Sequence, residues 1–252
     1  MKVALVMSLL ALVLVSCEKK KRPAAVVPEK IILHGQERAD AAAARVRPDL
    51  ERDLALVGLH LGDPVFIRAF KEEKLLDFFI HNRATGKFDL FRTYSIAAAS
   101  GGLGPKLAAG DRQVPEGFYV VPPAAMNPDS RFHLAFNIGY PNEFDRAHHR
   151  TGSEIMVHGG RKSIGCLAMT DEKMEEIYTL CAAAHAAGQG FFCVHLFPFR
   201  MTVERMKLAT KSSNLAFWQN LKEGYDLFEK DRIPPQILVV DGRYHFSVAN
   251  DR

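Results

Sequence analysis

Short apolar runs of β type, separated by turn-forming clusters, occupy the middle of the chain. Val65-Phe66-Ile67, Leu75 to Ile80, Phe88 to Ile96, Phe118 to Val121, Phe132 to Ile138 and Glu154 to His158 each read as a strand. Ala84-Thr85-Gly86 and Gly101-Gly102-Leu103-Gly104-Pro105 lie between them and carry turn chemistry. After Thr170 the spacing changes. Met174, Ile177, Cys181 and Ala184 recur at helical intervals, acidic Asp171 and Glu172 suit a first helical turn, and Gly188 ends the helix. Phe191 to Phe197 is a further buried strand. Beyond Pro198, Leu215, Trp218, Leu221, Tyr225 and Phe228 form one apolar stripe that Pro234-Pro235 stops, and Val239 to Tyr244, centred on Asp241-Gly242, predicts a hairpin. Nearer the start, Glu37 to Arg45 is Ala-rich and helical in composition, and Pro48 is expected to interrupt or restart that helix.

The N-terminus has a different pattern. Met1-Lys2 precedes an apolar run from Val3 to Val15, broken only by Ser8, which ends at Ser16-Cys17. Thirteen residues at about 1.5 Å each fall short of a hydrocarbon core of about 30 Å, so the run reads as an export signal rather than a span. A basic, Pro-containing stretch from Glu18 to Pro28 then suits a tether.

Composition narrows the class further. The chain has 252 residues, 48% hydrophobic and 25% charged, with 17 Phe against 13 Pro, which excludes wholesale disorder, collagen and coiled coil. A net charge of +4 is far below the footprint of a dedicated nucleic-acid binder, so no nucleic-acid partner is expected. Four cysteines leave an odd number once Cys17 is set aside. Cys181 and Cys193 occupy apolar positions and read as small buried hydrophobes, with a disulfide between them as the alternative.

The candidate chemistry lies between Glu154 and Asp171. A strand delivers His158 to its end, a loop containing Gly159, Gly160, Arg161 and Lys162 follows, and Cys166 arrives just before the next helix. A Cys–His pair is a sufficient nucleophile and base, because imidazole takes the thiol proton and the thiolate attacks a carbonyl. A free thiol titrates at about 8.5, and Arg161, Lys162 and the approaching helix are expected to favour its thiolate. The backbone N–H groups of Gly165 and Cys166 are candidates to face an oxyanion, and Ser163 to hydrogen-bond within the loop. Asp145, His148, His149 and His158 invite a zinc reading, but no His-Glu-x-x-His or paired-Cys spacing supports it, so no metal or cofactor is expected. His185 and His195 read as structural.

His158-Gly159 followed by Ser163-Ile164-Gly165-Cys166 resembles the signature of the L,D-transpeptidase (YkuD-type) family of bacterial cell-wall enzymes. Ser163 to Cys166 preceding Ala168-Met169-Thr170-Asp171 is similar to its YafK-like subgroup, as are Gly104-Pro105-Lys106, Gly110-Asp111-Arg112-Gln113, Pro115-Glu116-Gly117 and Phe136 to Asn142 running on to Asp145-Arg146. Leu14-Val15-Ser16-Cys17 looks like the lipobox of bacterial lipoproteins. The resemblance implies an α+β fold: a mostly-β catalytic domain over 60–200, preceded by a signal peptide (1–16) and by a tether with a helical segment (17–59). A helical extension with a terminal hairpin (201–252) follows it. It implies an exported protein anchored to a membrane by lipid on Cys17, acting on peptidoglycan stem peptides. Cys166 would attack the diaminopimelate carbonyl, His158 would move the proton, and the Gly159 carbonyl would orient its ring. The cluster of Tyr140, Asp145 and Arg146 reads either as part of the substrate cleft or as a hydrogen-bonded loop. The acceptor is then an amine, of another diaminopimelate or of the Lys of a wall-linked lipoprotein, or else water, which makes the enzyme a hydrolase; the subgroup includes an amidase that releases protein from the wall. A non-catalytic wall-binding lipoprotein is the remaining alternative. Two positions depart from the family pattern: Ile164 stands where many members have His, and Ala168 where many have Arg.

Overall fold

A computed structural model describes residues 33–247. In chain order the elements are α1 (Gly35–Leu56), β1 (Val65–Phe70), β2 (Leu75–Asn82), β3 (Lys87–Ser95), β4 (Ala98–Ala99), β5 (Gly117–Val121), β6 (Met126–Ser130), β7 (His133–Asn137), α2 (Glu143–Ala147), β8 (Met156–His158), β9 (Leu167–Ala168), α3 (Asp171–Ala186), β10 (Phe192–Phe197), α4 (Val203–Leu208), α5 (Leu215–Asp231), β11 (Gln236–Val240) and β12 (Arg243–Ser247). Two five-stranded sheets run in the orders β3-β2-β1-β10-β5 and β4-β9-β8-β7-β6. Mixed sheets with flanking helices make this the α+β class expected. Among the described residues no helix is long and apolar enough to cross a membrane.

All six residues of β1 are buried, as a central strand covered on both faces requires. Val65, Ile67 and Ala69 face the main core, which α1, α3 and the second sheet complete, while Phe66 and Phe70 face the aromatic clusters under α5. The stripe predicted on α5 makes that contact: Phe228 lies 4.7 Å from the ring of Phe66 and 4.9 Å from that of Phe79. Trp218 donates to the buried carboxylate of Glu116 at 2.8 Å, and Asn220 exchanges two 2.9 Å bonds with the backbone of Tyr244. The chain after Arg200 is thus packed into the first sheet. Its hairpin turns at Asp241-Gly242, both with positive φ, as a type I′ turn requires.

Three local expectations change. Pro48 does not break the first helix, which runs unbroken for 22 residues. Ala39, Ala42, Val46, Leu50 and Leu54 form one stripe against the core, and Pro48 lies on the exposed side of the helix. Burial of that stripe offsets the roughly 3 kcal/mol that an interior proline costs. Second, β6 includes Pro128, which hides it from a strand reading; it is tolerated because β6 is the edge of its sheet. Third, the strand expected from Glu154 starts only at Met156, because Glu154 sits at φ +56°.

Candidate active site

The site is built on two short parallel strands. β8 and β9 pair Val157 with Leu167 and His158 with Ala168. Cys166 immediately precedes β9, so the pairing that sets His158 beside Ala168 brings Cys166 alongside the start of β8, where its sulfur meets the Met156 N–H. His158 and Cys166 both line one cleft of about 650 Å³, together with Lys106, Asn127, Phe132, Glu154 and Met156 among others. His158 is 2% exposed. Its Nδ1 lies 2.5 Å from the carbonyl oxygen of Gly159, an atom that can only accept, so Nδ1 carries the proton and Nε2 is left as the base. The exposed ring of Phe132 packs on the imidazole with centroids 4.6 Å apart. Gly159 is required sterically, since a Cβ there would sit 2.6 Å from both the Phe132 carbonyl oxygen and the Asp171 carboxylate.

The Cys166 loop is organised by one hydroxyl. Ser163 Oγ accepts from the backbone N–H groups of Ser100 (3.2 Å), Gly165 (3.3 Å) and Cys166 (3.2 Å), and donates to the Cys166 carbonyl at 2.6 Å. Gly165 adopts φ +124°, a conformation that side chains with a Cβ rarely take. The two N–H groups expected to face an oxyanion are therefore directed at Ser163 instead. The sulfur of Cys166 donates to the Glu154 carbonyl (3.7 Å) and accepts the Met156 N–H (3.4 Å), rather than bonding to the imidazole.

Electrostatics also differ from the local sequence. Burial pushes the Cys166 thiol up, against the pull of the Met156 N–H and of the Lys106 charge, while Glu154 adds to the rise. Burial lowers His158, partly countered by its bond to Gly159. Both shifts favour the neutral forms, thiol and imidazole. Arg161 and Lys162, expected to support the thiolate, line a separate concavity with Thr170, Asp171 and Glu172. The start of α3 is engaged elsewhere, its Asp171 carboxylate accepting the Gly160 N–H at 2.7 Å. Lys106, Phe132 and Met156 were not singled out by the sequence reading. Only Lys106 left a trace there, in Gly104-Pro105-Lys106.

Of the cluster read as substrate cleft or hydrogen-bonded loop, Asp145 and Arg146 do not line the Cys166 cleft, whereas Tyr140 lines a neighbouring groove that shares Asn127, Ser153, Glu154 and Met156 with it. Asp145 is fully buried; it caps α2 with Asn142, pairs with Arg150 at 2.7 Å and accepts from Tyr119 at 3.0 Å. Tyr140 is buried and donates to the Lys106 carbonyl at 3.2 Å, and exposed Arg146 bonds to the Pro141 carbonyl. Together these groups tie down the turn around α2, which is the reason for their clustering in sequence. Cys181 and Cys193 are both free thiols with raised pKa from burial, as the hydrophobe reading expects. His148 stacks on Phe144 at 4.2 Å, and His195 is buried between Phe66 and Phe118. Cys17 lies outside the described residues.

The L,D-transpeptidase catalytic domain (YkuD) model matches residues 64–195. YafK of Escherichia coli (strain K12), provisionally named an L,D-transpeptidase, is 46% identical over 187 residues, 74% of this chain and 75% of its own; its counterpart in Escherichia coli O157:H7 gives the same figures. Among solved structures, the helical cell shape determining protein Pgp2 of Campylobacter jejuni aligns over 75% of this chain and 80% of its own, at 20% identity and a TM-score of 0.45. Bd1075 of Bdellovibrio bacteriovorus aligns over 71% and 77%, at 18% identity and a TM-score of 0.38. The family match covers just over half of the chain and contains the whole Cys166–His158 loop, and the 46% identity extends over about three quarters of it, so this chain belongs to the YkuD family of L,D-transpeptidase catalytic domains.

Proposed function

We propose that this protein is a peptidoglycan-modifying cysteine acyltransferase that forms a thioester between Cys166 and the diaminopimelate carbonyl of a stem peptide and passes the acyl group to an amine. One observation carries the reading: His158, with its proton fixed on Nδ1 by Gly159, offers a bare Nε2 in the same cleft as the Cys166 thiol. The family supplies the substrate class, peptidoglycan stem peptides. Because burial raises the thiol and lowers the imidazole, activation proceeds by general-base transfer at the moment of attack, not from a standing ion pair. The thiol leaves the Glu154 carbonyl, its proton passes to Nε2, and the Sγ–C bond forms. The C–N bond to the outgoing residue then breaks, and the leaving amine takes the proton from Nε2. An incoming amine passes a proton to Nε2 as it attacks the thioester carbonyl; the Sγ–C bond then breaks, and that proton moves from Nε2 to the departing sulfur, restoring the thiol. General-base assistance of this kind contributes about 10²–10⁴-fold.

The export signal and the lipobox ending at Cys17 support placing this chemistry outside the cytoplasmic membrane on a lipid anchor, where the wall substrate lies. Acyl chains contribute about 0.8 kcal/mol per buried CH₂, so several on one cysteine hold a protein to a membrane without a spanning helix. The test is mass analysis of products from the purified protein and a diaminopimelate-containing tetrapeptide muropeptide. Cross-linked dimers support amine transfer, shortened monomers convert the enzyme to a hydrolase, and Cys166→Ala abolishes either while the fold persists. Undiminished turnover by Cys166→Ala overturns the reading. Intact mass of the same protein from cells reads the anchor: acylated Cys17 at the N-terminus supports it, and an unprocessed Met1 refutes it.

A further inference from the structure

We infer that Lys106, a cation buried in the wall of the Cys166 cleft, is a positioning residue that biases the sulfur toward its anionic, nucleophilic form, with Asp111 setting how strongly it does so. The inference rests on Cys166 being the nucleophile. Lys106 lines the same cleft as Cys166 and His158, yet its side chain is only 4% exposed. Its ammonium is fixed by the Ala108 carbonyl at 2.8 Å and by Asp111 Oδ1 at 2.5 Å. Asp111 is itself held by the backbone N–H groups of Leu107 (2.9 Å), Ala108 (3.0 Å) and Gln113 (3.0 Å). The stem is confined as well, since Cε lies 3.0 Å from where a side chain at Gly152 would begin. Such a charge cannot swing out to solvent like an ordinary surface lysine.

The other charged and titratable groups facing the sulfur do not duplicate it. Glu154 is exposed and its carboxylate opposes thiolate formation, while burial disfavours a charged His158. Arg131 and Asp129 line the cleft but are exposed, and Asp129 receives the Gly35 N–H. Arg161 and Lys162 face another concavity. Among the described residues, Lys106 is the buried cation of this cleft. Its charge pulls the thiol down against burial. Charge develops on sulfur as its proton moves to His158 Nε2, and a fixed positive charge in a poorly solvated wall favours that step.

The test is the pH dependence of iodoacetamide alkylation at Cys166 in the full chain, read by peptide mass, with buried Cys181 as internal reference. Lys106→Gln raises the labelling midpoint by about one pH unit, and Asp111→Asn, which unmasks the same ammonium, lowers it. Lys106→Arg keeps the charge and stays close to the parent. Both neutral variants break the same ion pair, so a merely loosened loop moves both midpoints in one direction. Shifts of equal sign, or no shift in Lys106→Gln, overturn the proposal. Alkylation needs no turnover: opposite shifts in an enzyme that processes no muropeptide would sink the acyl-transfer reading and leave this one standing.

Discussion

Replacing Ser163 by Ala removes one oxygen and disturbs the whole Cys166 loop. A hydroxyl has two acceptor lone pairs and one proton, and the three N–H groups of Ser100, Gly165 and Cys166 share the former while the Cys166 carbonyl takes the latter. That is equivalent to three hydrogen bonds at about 1 kcal/mol each. Ser163 is half-buried, so water recovers part of the loss, and a net cost of about 2 kcal/mol remains. For a chain of this size that lowers Tm by roughly 4–8 °C. The nucleophile also loses its fixed position, and displacement of about 1 Å costs on the order of 10²-fold in rate. Thermal unfolding of Ser163→Ala beside the parent, with turnover of the tetrapeptide muropeptide, reads both effects, and Ser163→Thr, which keeps the hydroxyl, retains more of each. The same substitution frees the Gly165 and Cys166 N–H groups. A Tm within about 1 °C of the parent, or a rise in kcat, would show that these groups are oxyanion donors held in reserve and that the hydroxyl is not the organiser.

Two further outcomes follow from the same geometry. Burial lowers both His158 and His195 in the fold, below the value of about 6.5 expected in the unfolded chain, so the unfolded state takes up protons first on acidification. Their contribution is complete above about pH 6.5 and is lost as pH falls through that value toward their folded values; Asp111, held at about 2 against its burial by Lys106 and three backbone N–H groups, titrates below this window. Tm should therefore decline from pH 7 to 5, less steeply in His195→Phe, and an equal decline in that variant would count against the account. Gly159→Ala forces a Cβ to within 2.6 Å of the Phe132 carbonyl and of Asp171. It should cost about 1–3 kcal/mol and displace the carbonyl that orients His158; a denaturant midpoint and kcat both equal to the parent's would refute the steric argument.

The sequence alone located most elements and brought His158 and Cys166 forward together, because both are local. Strand alternation, helical spacing on α3 and α5 and the turn at Asp241-Gly242 are written over a few neighbouring residues, and His158 ends β8 while Cys166 immediately precedes the adjacent β9. What escaped it depends on where distant segments meet. Pro48 argues locally against a helix that burial of Leu50 and Leu54 sustains. Locally Asp145 fits either a substrate ligand or a hydrogen-bonded loop, and Arg150, Tyr119 and Asn142 packed around it decide for the loop. The cations nearest Cys166 in sequence, Arg161 and Lys162, point into another concavity, while Lys106, sixty residues earlier, stands in the wall of its cleft. Coulomb interactions fall with distance in space and strengthen where water is excluded, and neither quantity can be counted along the chain. The residues specify which groups can react; packing decides which charges and hydrogen bonds they feel.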